Sequence, residues 1–164
     1  MTSESIIYNQ AVRRGVPDTL AKLIVAQSKL ETGNYKHRFF KIGNNAFGYS
    51  ADKNSKWQIK PGSKADNGIP IAQYSKVEDS VNELVDWIKR RQREGRFPKD
   101  LSEIKTPSQY GTMLFKANYG GTSAKQYSDG SSVYFKSVLK QIGSNTGTVA
   151  VFIFIAIAIL LLTN

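Results

Sequence analysis

Glu31 is the single acid in residues 24–50, "IVAQSKLETGNYKHRFFKIGNNAFGYS", and it ends an apolar helical stripe just before a glycine. Eleven residues separate it from Leu20. That is close to three helical turns, so its carboxylate shares a face with Leu20, Leu23, Ile24 and Gln27. A carboxyl where an apolar face meets the surface is partly desolvated, and desolvation favours the protonated form that a general acid needs near neutral pH. The competing reading is an ordinary helix-end carboxylate, unfavourable to the helix dipole but common. Asn44, Asn45, Phe47 and Tyr49 follow, with Trp57, Tyr74 and Tyr119 beyond. Taken singly, each of these rings is more often core than ligand platform.

Other chemistries find little footing. The chain has no cysteine, so disulfides and cysteine metal sites are excluded, and its one histidine, His37, in a basic loop gives no basis for a Ser-His-Asp arrangement. No glycine-rich phosphate loop follows a strand. Neither a metal nor a cofactor is expected. The balance of 23 Lys+Arg against 13 Asp+Glu, a net +10, lies entirely before residue 149 and favours polyanions without choosing among them. The run 88–96, "IKRRQREGR", is the strongest nucleic-acid cue. It is better explained as cations ending a helix, or as attraction to anionic wall or lipid, so nucleic acid is not an expected partner.

The elements that must position Glu31 are mostly helical. Ser3 is placed to cap a first helix running to about Arg14, where Gly15 stops it. Pro17 suits the first turn of a second helix, and Gly33 sits where a left-handed terminator would. Asn67-Gly68, flanked by short alternating segments within 57–74, predicts a β-hairpin. Ser75 and Glu78 form a capping-box pattern for a helix whose apolar face is Val77, Val81, Leu84, Val85 and Ile88. Thr106-Pro107 opens another helix, and "SVYFKSVLKQI" predicts a last one.

The segment around Glu31 resembles the Ala-Gln-x-x-x-Glu-(Ser/Thr)-Gly and Asn-x-Phe-Gly pattern of the bacterial N-acetylglucosaminidase family of the lysozyme-like superfamily. The matching residues are Ala26, Gln27, Glu31, Thr32 and Gly33, then Asn44, Asn45, Phe47 and Gly48. A second segment matches through Tyr74, Val77, Glu78, Ser80 and Val81, and a third, weaker one lies within 117–142. The resemblance spans roughly residues 15 to 142. It implies a mostly helical α+β domain with a small hairpin lobe, over 1–142, that cleaves the β-1,4 aminosugar backbone of peptidoglycan. It makes Glu31 the acid that protonates the glycosidic oxygen. It places Gln27, Asn44, Asn45, Phe47, Gly48, Tyr49, Tyr74 and Tyr119 against the glycan strand.

The chain departs from the pattern at one point. The second carboxylate of a two-acid glycosidase belongs on the hairpin, where this sequence has about Lys64; the nearest acids are Asp66 and Asp52. A single-acid lytic transglycosylase, closing an anhydro product, therefore stands beside hydrolysis. A sugar-binding protein without catalysis stands beside both.

Residues 148–164, "TVAVFIFIAIAILLLTN", carry no charge, Pro or Gly. Behind a 143–148 linker, they predict a transmembrane helix over 149–163, with a buried core helix as the alternative. Lys136 and Lys140 precede this stretch, and the amino end lacks an apolar leader, which keeps the domain on the cytoplasmic side. A wall-cutting enzyme so placed is expected in the internal membrane of a lipid-containing phage particle, with capsid or membrane proteins as neighbours. A bacterial inner-membrane enzyme remodelling its own wall is the alternative.

Overall fold

The computed structural model describes residues 1–64 and 68–119. In chain order it has α1 (Ser3–Arg13), α2 (Asp18–Glu31), α3 (Arg38–Gly43), β1 (Gln58–Lys64), β2 (Pro70–Tyr74), α4 (Val77–Arg93), a one-turn 3₁₀ helix (Leu101–Glu103) and α5 (Pro107–Lys116). The result is a mostly helical α+β fold with one two-stranded antiparallel sheet.

α2 is the central helix. Leu20, Ala21 and every residue from Leu23 to Lys29 are buried, and α1, α5 and the 3₁₀ turn pack around it. The fully buried side chains of Leu20, Leu23 and Ile24 each contribute about 1.5–3 kcal/mol. Lys29 is tolerated in this setting because Glu4 of α1 pairs with it at 3.0 Å. α4 is amphipathic instead: Val81, Leu84, Val85 and Ile88 are buried, while the opposite face is free to line a site.

Local chemistry explains most element ends. Thr2, not Ser3, caps α1 through its hydroxyl, which accepts from the Ser5 amide. α2 ends in a left-handed turn in which Gly33, Asn34 and Tyr35 all have positive φ. Thr32 braces that turn, donating to the Ser28 carbonyl at 2.6 Å and accepting from the Tyr35 amide at 2.9 Å. The hairpin forms as expected, with Gln58 opposite Tyr74 and Lys64 opposite Pro70. The Ser75–Glu78 capping box does not form: Lys76 is the cap position, and the Ser75 hydroxyl donates to Asp79 instead. At α5 the box is complete between Thr106 and Gln109, with Pro107 in the first turn. The short α3, not among the elements expected from the sequence, is capped by the His37 ring accepting from the Phe39 amide.

One expectation about the fold is corrected. Among the described residues no helix is long and apolar enough to cross a membrane, so the described fold is α+β without a transmembrane helix. The stretch 149–163 proposed for that role lies outside the described residues, as does the last predicted helix.

Candidate active site

The abrupt left-handed turn after α2 leaves Glu31 half-buried at the helix end, facing the loop that follows α3. Asn44 ends α3 with a φ of 51° and donates to the Tyr74 and Ser75 carbonyls, tying this loop to the end of the hairpin. Asn45 is buried and holds the loop from inside. Its amide donates to the carbonyls of Tyr49 (2.8 Å) and Ala72 (3.2 Å), and its side-chain oxygen accepts from the Phe47 and Tyr49 amides. Gly48 has a φ of +65°, and a Cβ on it would stand 3.4 Å from Glu31 Oε2. A side chain there would be strained by the backbone and would crowd the acid. The Tyr49 carbonyl accepts from the Ala72 amide and Ser50 bridges Ile71, so β2 fixes the loop in place.

Glu31 opens onto a groove of about 940 Å³ whose floor carries Phe47, Tyr49 and Tyr119 and whose wall is α4. The rings form a chain. Tyr49 stands edge-on to Phe47 and Tyr119, and Tyr119 to Trp87 at 5.2 Å. The Tyr119 hydroxyl donates to the Phe47 carbonyl at 2.9 Å. Burial pushes the Tyr49 phenol well above its ordinary range, and the charges of Glu83 and Glu31 add to the shift. Both carboxylates line the groove together with Tyr49.

Glu83 is the acid that sequence reasoning missed. It lines the groove from α4 and is held by Ser55 (3.1 Å), Gln58 (3.0 Å) and Tyr74 (2.7 Å), all donating to its carboxylate. Tyr74 is itself buried, and burial together with the neighbouring Glu83 charge drives its phenol far upward, so it stays a donor. One turn further along, Asp86 takes Trp57 Nε1–H at 2.9 Å, Lys56 at 3.1 Å, and Arg14 of α1. Its partial burial acts the other way, but these three donors hold its carboxyl below the ordinary range. The available signal for this wall was the spacing Glu83, Asp86, Trp87 and Arg90, at i, i+3, i+4 and i+7, a second stripe beside the apolar one.

The remaining expected site residues fall into two groups. Glu31, Phe47, Gly48, Tyr49, Tyr119 and Asp52 line the groove together. Gln27, Asn44, Asn45 and Tyr74 stand behind it. Gln27 is buried under the site, where the Tyr110 hydroxyl of α5 donates to it at 2.6 Å. Asp52 turns its carboxylate back to accept from the Asn54 amide at 2.8 Å. Asp66 lies outside the described residues. At the hairpin position expected for a second acid stands the exposed Lys64, whose carbonyl accepts from Arg38.

Comparison with known proteins follows this geometry. The family described as glucosaminidase, mannosyl-glycoprotein endo-beta-N-acetylglucosaminidase, matches residues 8–145. Among solved structures, a peptidoglycan hydrolase from Sphingomonas sp. A1 superposes with a TM-score of 0.63 at 18% identity, covering 84% of this chain and 94% of that one. The glycoside hydrolase domain of Salmonella typhimurium FlgJ gives 0.61 at 18%, covering 93% and 98%. A type VI secretion system effector-immunity complex from Pseudomonas protegens gives 0.58 at 16%, covering 84% and 88%. At such identities the likeness is one of fold. No curated protein matches the chain.

Proposed function

We propose, from the premise that this chain belongs to the glucosaminidase family and is a peptidoglycan glycosidase, that Glu31 is its general acid and Glu83 its second working carboxylate. The observation that supports this most is the groove itself. Glu31 and Glu83 both line it, together with the half-buried rings of Tyr49, Trp57 and Trp87. In this reading Glu31 gives its proton to the glycosidic oxygen as the C1–O bond breaks. The Glu83 carboxylate, oriented by its three donors, offsets positive charge developing on the ring. Water entering the open groove then adds to C1 and gives its proton to the Glu31 carboxylate, which restores the acid and leaves a free reducing end. Glu83 takes the place that the hairpin leaves empty, where Lys64 stands.

Mass spectrometry of murein digested by the purified chain tests this. Hydrated reducing ends are expected, and their identity gives the bond cut. Anhydro ends would instead mean that the substrate's own hydroxyl closes the product and that no water adds at C1. Intact murein would overturn the reading in favour of a glycan-binding protein. Placement of this activity on a virus particle or in the bacterial envelope is a finer reading supported by sequence alone. Protease protection of the domain on intact particles and on cells tests it.

A further inference from the structure

α4 carries more than an acid along the groove. Its groove-lining residues run in the order Glu83, Asp86, Trp87, Lys89, Arg90, Arg93, and ten residues of helix rise about 15 Å. The wall therefore passes from acid through aromatic to cationic over that distance. The neighbouring cations are engaged elsewhere: Arg14 and Lys56 on Asp86, Lys89 on the Arg14 carbonyl, and Arg91 on Glu94 and over the Trp87 ring. The Arg90 and Arg93 side chains are exposed and make no ion pair or hydrogen bond among the described residues, and Arg90 only adds to the positive field at Glu94. Favourable interaction with the helix dipole accounts for their sign, but it requires no particular face. These two face the groove.

We propose, on the glycosidase reading above, that Arg90 and Arg93 form a subsite for a carboxylate carried on a branch of the substrate, namely the peptide stem of peptidoglycan. Net positive charge alone would attract any polyanion. The groove discriminates further. A polymer charged at every unit would lay part of its charge on Glu31, Asp52 and Glu83 at the other end. A neutral aminosugar backbone with acidic branches places sugar on the aromatic floor and carboxylate on the arginines. Their guanidinium forks match a carboxylate in paired hydrogen bonds.

The test measures binding of the full chain carrying Glu31→Gln to soluble glycan fragments with and without peptide stems. Stem-bearing fragments are expected to bind about tenfold more tightly at low salt, the worth of one charge-assisted pair. High salt should shrink that preference. Adding Arg90→Gln and Arg93→Gln should abolish it, and Arg90→Lys with Arg93→Lys should keep part of it. Removing the same charge outside the groove, by Lys105→Gln and Lys116→Gln, should leave it unchanged. Equal binding of both fragments, a preference surviving the glutamine pair, or stronger binding of a phosphate-rich wall polymer would each overturn the proposal. Because the measurement is of binding, it decides this point even if the parent chain cleaves nothing, an outcome that would sink the glycosidase reading separately.

Discussion

The two helices that flank the groove contribute in opposite ways. α2 is buried along nearly its whole length and presents one side chain, Glu31, at the point where the chain turns away. α4 buries one face and lines the groove with the other, over about 15 Å of rise. The difference shows how a small domain separates two demands. An acid that must be partly desolvated belongs at the end of the most buried helix. A polymer that must be held over several units needs a continuous exposed stripe. Loss of function should therefore be concentrated on α2 and graded on α4.

The largest effect is expected at Glu31. Glu31→Gln keeps shape and removes the transferable proton, and should lower murein cleavage by about 10²–10⁴-fold with an unchanged far-UV spectrum. A Gln variant that clears walls at the parent rate would remove α2 from the chemistry.

Next comes Glu83→Gln, for which a loss of roughly 10–100-fold is expected, below that of a well-placed transition-state donor. Asp52→Asn should cost less than Glu83→Gln, because Asp52 already turns toward the Asn54 amide. Steady-state rates on one murein preparation rank the three variants. If Asp52→Asn matched Glu31→Gln while Glu83→Gln were silent, the second carboxylate would lie before the hairpin and not on α4.

The smallest effect sharpens the comparison through stability. Asp86 joins α4 to α1 through Arg14 and to the hairpin approach through Trp57 and Lys56, and its carboxyl is held below the ordinary range. A depressed folded-state value means that this stabilisation is present above the unfolded carboxylate value, about 3.9, and is lost as pH falls from there through the folded value. Asp86→Asn should therefore melt below the parent at pH 7, with the gap in Tm closing as pH drops below about 4. A gap independent of pH would show that Asp86 acts by packing alone.

Glu31, the helix that ends with it, the left-handed turn at Gly33, the hairpin and the capped start of α5 were all legible in the sequence. Each rests on interactions within a few residues: a 3.6-residue stripe, a turn glycine, a cap and its partner three positions on. The aromatic and amide loop was legible too, though not the division of labour inside it. Phe47, Tyr49 and Tyr119 reach the groove, while Gln27, Asn45 and Tyr74 support it from behind. Only the tertiary structure decided which residues share the groove with Glu31. Glu83 lies far along the chain, and on its own helix it looks like any solvated carboxylate; three donors from the hairpin and its approach mark it out. Arg14 with Asp86 and Tyr110 with Gln27 are pairings of the same kind, 72 and 83 residues apart. Periodicity reports which face of a helix is buried, because burial repeats with the turn. It carries no record of which distant element the other face will meet, and that meeting is what makes the groove.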